Sequence, residues 1–228
     1  MCGRVTQKLS SAEYAAIFEA RDAAATPGGA YNVAPTQGIV AVRMADGERI
    51  ADRLRWGLVP SWSDGPDPRG RLINARAETV ATSPAFRASF RSKRCLVPVD
   101  GFYEWRKADG KSVPFYIAGA DGRPLALAGL WSSWTDPASG LVLRSCAVIT
   151  TTPNETMAPI HDRMPVIVAP DAWARWLAPD ADPGELGALL APSAATLAVR
   201  EVRPLVNNPR NQGPDLIVPV EAPVSAAG

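Results

Sequence analysis

Cys95-Leu96-Val97-Pro98-Val99-Asp100-Gly101-Phe102-Tyr103-Glu104-Trp105 is the longest strand-like run in the chain, and its reading sets the fold class. Apolar and aromatic residues fill it, as they fill strands that line a core. Shorter runs of the same kind flank it: Ile39–Met44, Arg53–Leu58, Pro114–Ile117, Leu125–Trp131, Leu141–Thr150 and Val166–Val168. Turn-rich segments such as Ser63–Gly70 and Asp109-Gly110-Lys111 separate them. Helical signals are few. Ser10 offers an N-cap with Glu13 behind it, and Tyr14, Ile17 and Phe18 follow at helical spacing, which predicts a helix from about Ser11 to Arg21. Short helices are expected over Pro84–Phe90, Asp171–Leu177 and Glu185–Leu190. Many short strands with turn signals and a few peripheral helices give an α+β class, with a β-rich core of curled antiparallel strands forming an open, barrel-like sheet.

Composition agrees with that class. Apolar residues make up 46% of the 228-residue chain, enough for a sizeable core, and the 22 Pro and 18 Gly favour strands joined by turns over long helices. No linker divides the chain, so one domain spanning residues 1–228 is expected, with a tail frayed beyond about Val220. No run of 18 apolar residues suggests a membrane span, and Met-Cys-Gly-Arg-Val-Thr-Gln at the start has no apolar signal segment, so a cytoplasmic protein is expected. Three cysteines in a reducing compartment argue against a disulfide framework. The net charge is +1, which excludes a broadly basic surface. Arginine greatly outnumbers lysine, found only at Lys8, Lys93, Lys107 and Lys111, and many arginines fall between Arg43 and Arg94. Planar guanidinium groups suit bidentate phosphate contacts. Codon preference in a GC-rich genome explains the same excess, and composition leaves both readings open.

Cys2 carries the sharpest chemistry. Aminopeptidases remove an initiating Met when the next residue is small, and the chain would then begin with a 1,2-aminothiol. An α-amino group titrates near about 7.7–8.0 and a Cys thiol near about 8.5. The pair condenses with an aldehyde: the amine forms an imine, and the thiol closes onto it as a five-membered thiazolidine, favoured by intramolecularity. Cys at position 2 also arises by chance. Cys95 and Cys146 read as small core residues on strands, and with His161 as the sole histidine no metal site is expected. His161 lies in Pro159-Ile160-His161-Asp162-Arg163-Met164-Pro165, a loop stiffened by prolines, and reads as either a structural hydrogen-bonder or an acid–base group. Glu104, in an aromatic and partly apolar strand, is either a buried carboxyl of raised pKa suited to proton transfer or a solvent-facing residue. If Ile73–Thr79 is extended, Asn74 and Arg76 share one face and together suit a phosphate and its sugar; an exposed strand edge would look the same. Trp56, Trp62 and Trp105 offer base-stacking surfaces, with core packing the competing reading.

Taken together, Met1–Arg4, Tyr31–Thr36, Trp56–Trp62, Ile73–Thr79, Cys95–Trp105, Ala128–Trp131, Pro159–Pro165 and Asn207–Arg210 resemble, in order and over nearly the whole chain, the SOS-response-associated-peptidase-like (SRAP) family. The resemblance implies a β-rich core with peripheral helices. It also implies a protein that binds single-stranded DNA and crosslinks to abasic sites, without cofactor or metal, as a monomer acting on damaged DNA at the nucleoid. By the same resemblance, Cys2 is the nucleophile, Glu104 moves protons at its amine, His161 assists opening of the deoxyribose ring, and Asn74 holds the sugar-phosphate. Arg4, Arg76 and Arg163 would contact phosphates and Trp105 would stack or wedge beside the lesion. An imine that escapes ring closure would permit strand cleavage as a side activity. An N-terminal-nucleophile peptidase and a non-covalent single-strand-binding module remain as alternatives.

Overall fold

The computed structural model describes residues 2–67, 70–108 and 110–220; the expectations for Met1 and for the tail beyond Val220 fall outside them. Among the described residues thirteen strands and four short α-helices follow one another: β1 Val5–Gln7, α1 Ser11–Ile17, β2 Arg21–Asp22, β3 Ala30–Val33, β4 Gly38–Ala45, β5 Glu48–Trp56, β6 Asn74–Arg76, α2 Arg87–Ser92, β7 Arg94–Val99, β8 Gly101–Ala108, β9 Lys111–Gly119, β10 Leu125–Thr135, β11 Val142–Thr151, β12 Met164–Pro165, α3 Trp173–Leu177, α4 Pro183–Ala188 and β13 Leu197–Glu201.

The curled sheet of the sequence reading closes on itself. Antiparallel pairing links β5, β4, β7, β10 and β11 in turn, and a short parallel pairing of Ser145 with Arg55 and Cys146 with Trp56 completes the ring. β12, β2 and β6 add to its margins. A second sheet, in the order β13-β9-β8-β1-β3, covers one side of the barrel. Alternation along the strands sorts the core. Ile39, Leu54, Trp56, Cys95, Val97, Leu127, Cys146 and Val148 share one cluster with Cys2, Val5, Phe102 and Ile117 of the second sheet. The opposite faces of the barrel strands present Val40, Val42, Leu96, Ala128, Leu130 and Ile149 to the cluster that holds Tyr14, Phe18, Phe90, Trp176 and Leu186 of the helical segments.

The run Cys95–Trp105 is two strands. β7 pairs with β4 and β10 in the barrel, β8 pairs with β1 and β9 in the second sheet, and the chain changes sheet at Asp100-Gly101. Glycine is needed there because a Cβ at position 101 would stand 2.5 Å from the Tyr116 ring. Asp100 anchors the crossing by donating its N–H to Thr6 and accepting the Tyr14 hydroxyl at 2.7 Å. The first helix starts as expected, on a reciprocal Ser10–Glu13 capping box, but ends at Ile17. Glu19 turns left-handed (φ 52°), and Arg21, expected in the helix, pairs instead with Ile50 of β5. Val166–Val168, expected as a strand, contributes an isolated bridge of Ile167 to Leu127, while the strand lies at Met164–Pro165.

Candidate active site

Four segments distant in sequence deliver the expected residues to one end of the barrel. In the β1–β8 ladder Val5 stands opposite Phe102, and Tyr103 N–H donates to the Arg4 carbonyl at 2.9 Å. Continuing that register carries residue 2 alongside Glu104 and Trp105. Cys2 is fully buried in the apolar cluster beneath the second sheet. β6 pairs in parallel with β11, Asn74 opposite Val148 and Arg76 opposite Thr150, so Ala75 points into the core while Asn74 and Arg76 share the other face. Asn74 Nδ2 donates to the Cys2 carbonyl at 2.8 Å. That carbonyl can only accept, so the amide orientation follows. Asn74 Oδ1 is buried with no hydrogen-bond partner among the described residues, an acceptor available to a bound hydroxyl.

Alternation on β8 sends Phe102 and Glu104 inward and Tyr103 and Trp105 outward. Glu104 is therefore 2% exposed, and burial pushes its carboxyl pKa up, with the nearby His161 pulling the other way. Burial, reinforced by the Glu104 charge, also raises the Cys2 thiol well above its ordinary value. His161 follows tight turns in which Asn154 caps Met157 N–H at 3.0 Å and Met157 O accepts from His161 N–H at 3.0 Å. Its Nε2 faces Glu104 Oε2 at 3.9 Å. Its Nδ1 accepts the Arg163 backbone N–H at 3.0 Å. Asp162 Oδ1 lies 2.9 Å from the same Nδ1. A groove of about 580 Å³ opens along Glu104, Trp105, Arg106, Pro159 and His161.

The expected cationic residues differ in availability. Arg76 is exposed, with no hydrogen bond or ion pair among the described residues. Arg163 makes a bidentate pair with Glu78 (2.6 and 3.0 Å) and donates to the Thr150 carbonyl at 2.6 Å. Arg4 donates to Asn32 Oδ1 at 2.8 Å and to the Val206 carbonyl at 2.7 Å, and its guanidinium lies 5.7 Å from the Trp105 ring centre. Trp105, half-buried, donates its indole N–H to Asn207 Oδ1 at 2.7 Å. Of the other tryptophans, Trp56 is core and donates to the Ile73 carbonyl at 3.1 Å, whereas Trp62 is 70% exposed. Sequence reasoning missed the tethers Asn32, Glu78 and Asn207. All three lie in quoted motifs, but their partners are 28, 85 and 102 residues away, so nothing local reveals them. Among the described residues no cluster of three or more His, Cys, Asp or Glu could hold a metal, and no helix is long and apolar enough to cross a membrane.

A family model described as SOS response associated peptidase (SRAP) matches residues 1–209. The chain is 43% identical over 190 residues to "Abasic site processing protein YoqW" of Bacillus subtilis (strain 168), covering 82% of this chain and 84% of that one. It is 33% identical over 231 residues to "Abasic site processing protein YedK" of Escherichia coli (strain K12), covering 96% and 100%. A crystal structure of a Bacteroides thetaiotaomicron protein superposes with a TM-score of 0.87 over 96% of this chain and 100% of that one, at 24% identity, which speaks for the fold. On the family match and these identities, the chain belongs to the SRAP family.

Proposed function

We propose that this protein processes abasic sites in single-stranded DNA by covalent capture on Cys2, after removal of Met1. The observation that carries the reading is the convergence of Cys2, Asn74, Glu104 and His161, from four segments, on one partly apolar enclosure. The relatives' names supply the substrate class.

An abasic site is an aldehyde masked as a cyclic hemiacetal. His161 donates a proton to the ring oxygen as the C1′–O4′ bond breaks and takes one back from the anomeric hydroxyl, which becomes the aldehyde oxygen, so the imidazole ends as it began. The Cys2 amine adds to C1′. Glu104 relays the amine's two protons in turn to the carbonyl oxygen, first giving the carbinolamine hydroxyl and then the water that leaves, with a neutral imine left behind. The thiol sulfur then bonds to the imine carbon while its proton passes to the nitrogen, closing the thiazolidine. The sum is aldehyde plus aminothiol giving thiazolidine plus water. A carboxyl of raised pKa suits both halves of the relay. Asn74 holds the Cys2 carbonyl with one end of its amide and offers the other to the sugar. Trp105 and Arg76 flank the lesion as stacking surface and phosphate contact.

The state of the thiol favours capture over peptide hydrolysis. A cysteine hydrolase needs a stabilised thiolate, whereas burial and Glu104 keep Cys2 protonated. In the capture sequence the amine attacks first, and the thiol need only meet an imine already beside it. The test is intact mass measurement after mixing the protein with an abasic oligonucleotide. The expected species is the chain from Cys2 onward plus the oligonucleotide, less one water. An unmodified protein, or an adduct formed with Met1 retained, would refute the reading.

A further inference from the structure

Outside this site, on the far part of β5 and β11, a groove of about 390 Å³ is lined by Thr36, Gly38, Arg53, Arg55, Val142 and Arg144, with Leu54 and Leu143 between them and no acidic residue. In a protein of net charge +1 this is a local concentration of one sign. Arg53 and Arg144 are exposed and engage no partner among the described residues. The Arg53 guanidinium lies flat against β4, where a Cβ on Gly38 would stand 2.4 Å from its Nε. Arg55 is held behind them by the carbonyls of Gly57 (2.9 Å) and Asp67 (3.1 Å). Beside these cations, Leu141 and Val142 are exposed at 72% and 54%. A row of guanidinium groups next to bare apolar side chains matches a strand that carries phosphates on one edge and unpaired base faces on the other. β11 joins the groove to the site: Arg144 stands four residues before Val148, the partner of Asn74, roughly 13 Å along the strand.

We infer that the Arg53–Arg55–Arg144 groove is a second binding site, which takes the sugar-phosphate backbone of a single-stranded nucleic acid several nucleotides from the residue held at Asn74. The identity of the polymer rests on the abasic-site reading; the groove's affinity does not require a lesion. At about 3.4 Å per stacked nucleotide, the distance along β11 corresponds to roughly four nucleotides. The groove therefore adds affinity for long strands and nothing for short ones.

The test compares the parent protein, Arg53→Ala/Arg144→Ala, and Arg53→Lys/Arg144→Lys. Each is titrated with lesion-free single strands of about 2 and about 15 nucleotides across a range of salt. The parent should bind the longer strand more tightly. The alanine pair should lose most of that advantage, and its log–log salt slope on the long strand should fall by about 1.4, two contacts at about 0.7 each. The lysine pair should recover the slope. Adduct formation on a short abasic oligonucleotide should be unchanged in all three, which separates this inference from the capture reading: no adduct in the parent would sink that reading alone. An unchanged length advantage in the alanine pair overturns the groove assignment. So does loss of poly-glutamate binding with oligonucleotide binding intact, which would point to an acidic protein partner.

Discussion

Two buried polar regions of this molecule treat their hydrogen-bonding capacity in opposite ways. On the helix-covered face of the barrel, Arg94 is 2% exposed and every terminal nitrogen is engaged. It donates to the Phe90 and Arg91 carbonyls at 2.7 Å, to Trp176 O at 2.8 Å and to Ala178 O, gathering the carbonyls that α2 and α3 leave unpaired at their C-terminal ends. At the open end, the burial is comparable but an amide oxygen is held in reserve. Asn74 keeps an oxygen with no partner among the described residues, beside the buried Glu104 carboxyl and a Cys2 thiol whose pKa burial raises. A buried polar group whose partners are all present is structure. One kept short of partners is capacity set aside for a ligand, at a cost in stability.

The largest expected effect lies at the open end. Cys2→Ala should abolish the heat-stable adduct on denaturing gels while retaining affinity for intact single strands. A normal rate of crosslinking by this variant would move the chemistry to another residue and end the contrast. Next, Glu104→Gln and His161→Ala should each slow adduct formation by about 10²–10⁴-fold, read in a time course at one salt concentration. Glu104→Gln should also separate function from stability. The folded-state pKa of Glu104 lies above its unfolded value, so ionisation penalises the fold as pH rises through the unfolded and then the folded pKa. The glutamine variant should therefore melt higher than the parent at neutral pH, by roughly 2–4 °C for each kcal/mol relieved, and the gain should vanish below the carboxylate range. A lower Tm at neutral pH would mean that the interactions made by the Glu104 carboxylate outweigh the penalty of burying it.

The helix-covered face should respond in the opposite sense. Arg94→Leu strands several carbonyls, each worth about 1–3 kcal/mol when left unsatisfied. A fall in Tm of at least about 8 °C is expected, with the adduct rate per folded molecule unchanged below the transition. The smallest effect discriminates between two arginines. Arg76 is exposed and unpaired among the described residues, whereas both terminal nitrogens of Arg163 are committed to Glu78 and Thr150. Arg76→Ala should reduce the salt slope of single-strand binding by about 0.7. Arg163→Ala should change the slope less and Tm more. Equal slope changes would show that DNA displaces Glu78.

Much of this was legible because it is written in local chemistry. The strand runs, the Ser10–Glu13 cap and the alternation of Asn74 and Arg76 about a buried Ala75 follow from period and capping alone. So does the burial of Cys95 and Cys146. The sheet change at Asp100-Gly101 was not legible, since the need for glycine comes from Tyr116, fifteen residues on and across a strand pair. Nor were the short strands β1, β3 and β13, whose pairing partners lie far along the chain. The candidate site divides the same way. The reactive residue types stood out, whereas the attachments of Arg4 to Asn32 and Trp105 to Asn207 belong to tertiary structure.

The parallel contact that closes the barrel sets when the site can exist. Ser145 meets Arg55 across ninety residues, and β6, which brings Asn74 to Cys2, is held by the same strand β11. Pairings of such sequence separation form slowly, since a long loop must be ordered before they reward it. His161 lies later still in the chain. During synthesis, then, Cys2 waits for segments made much later before it gains Asn74, Glu104, His161 and its enclosure. On the capture reading, selection of the right carbonyl compound is thus coupled to completion of the fold.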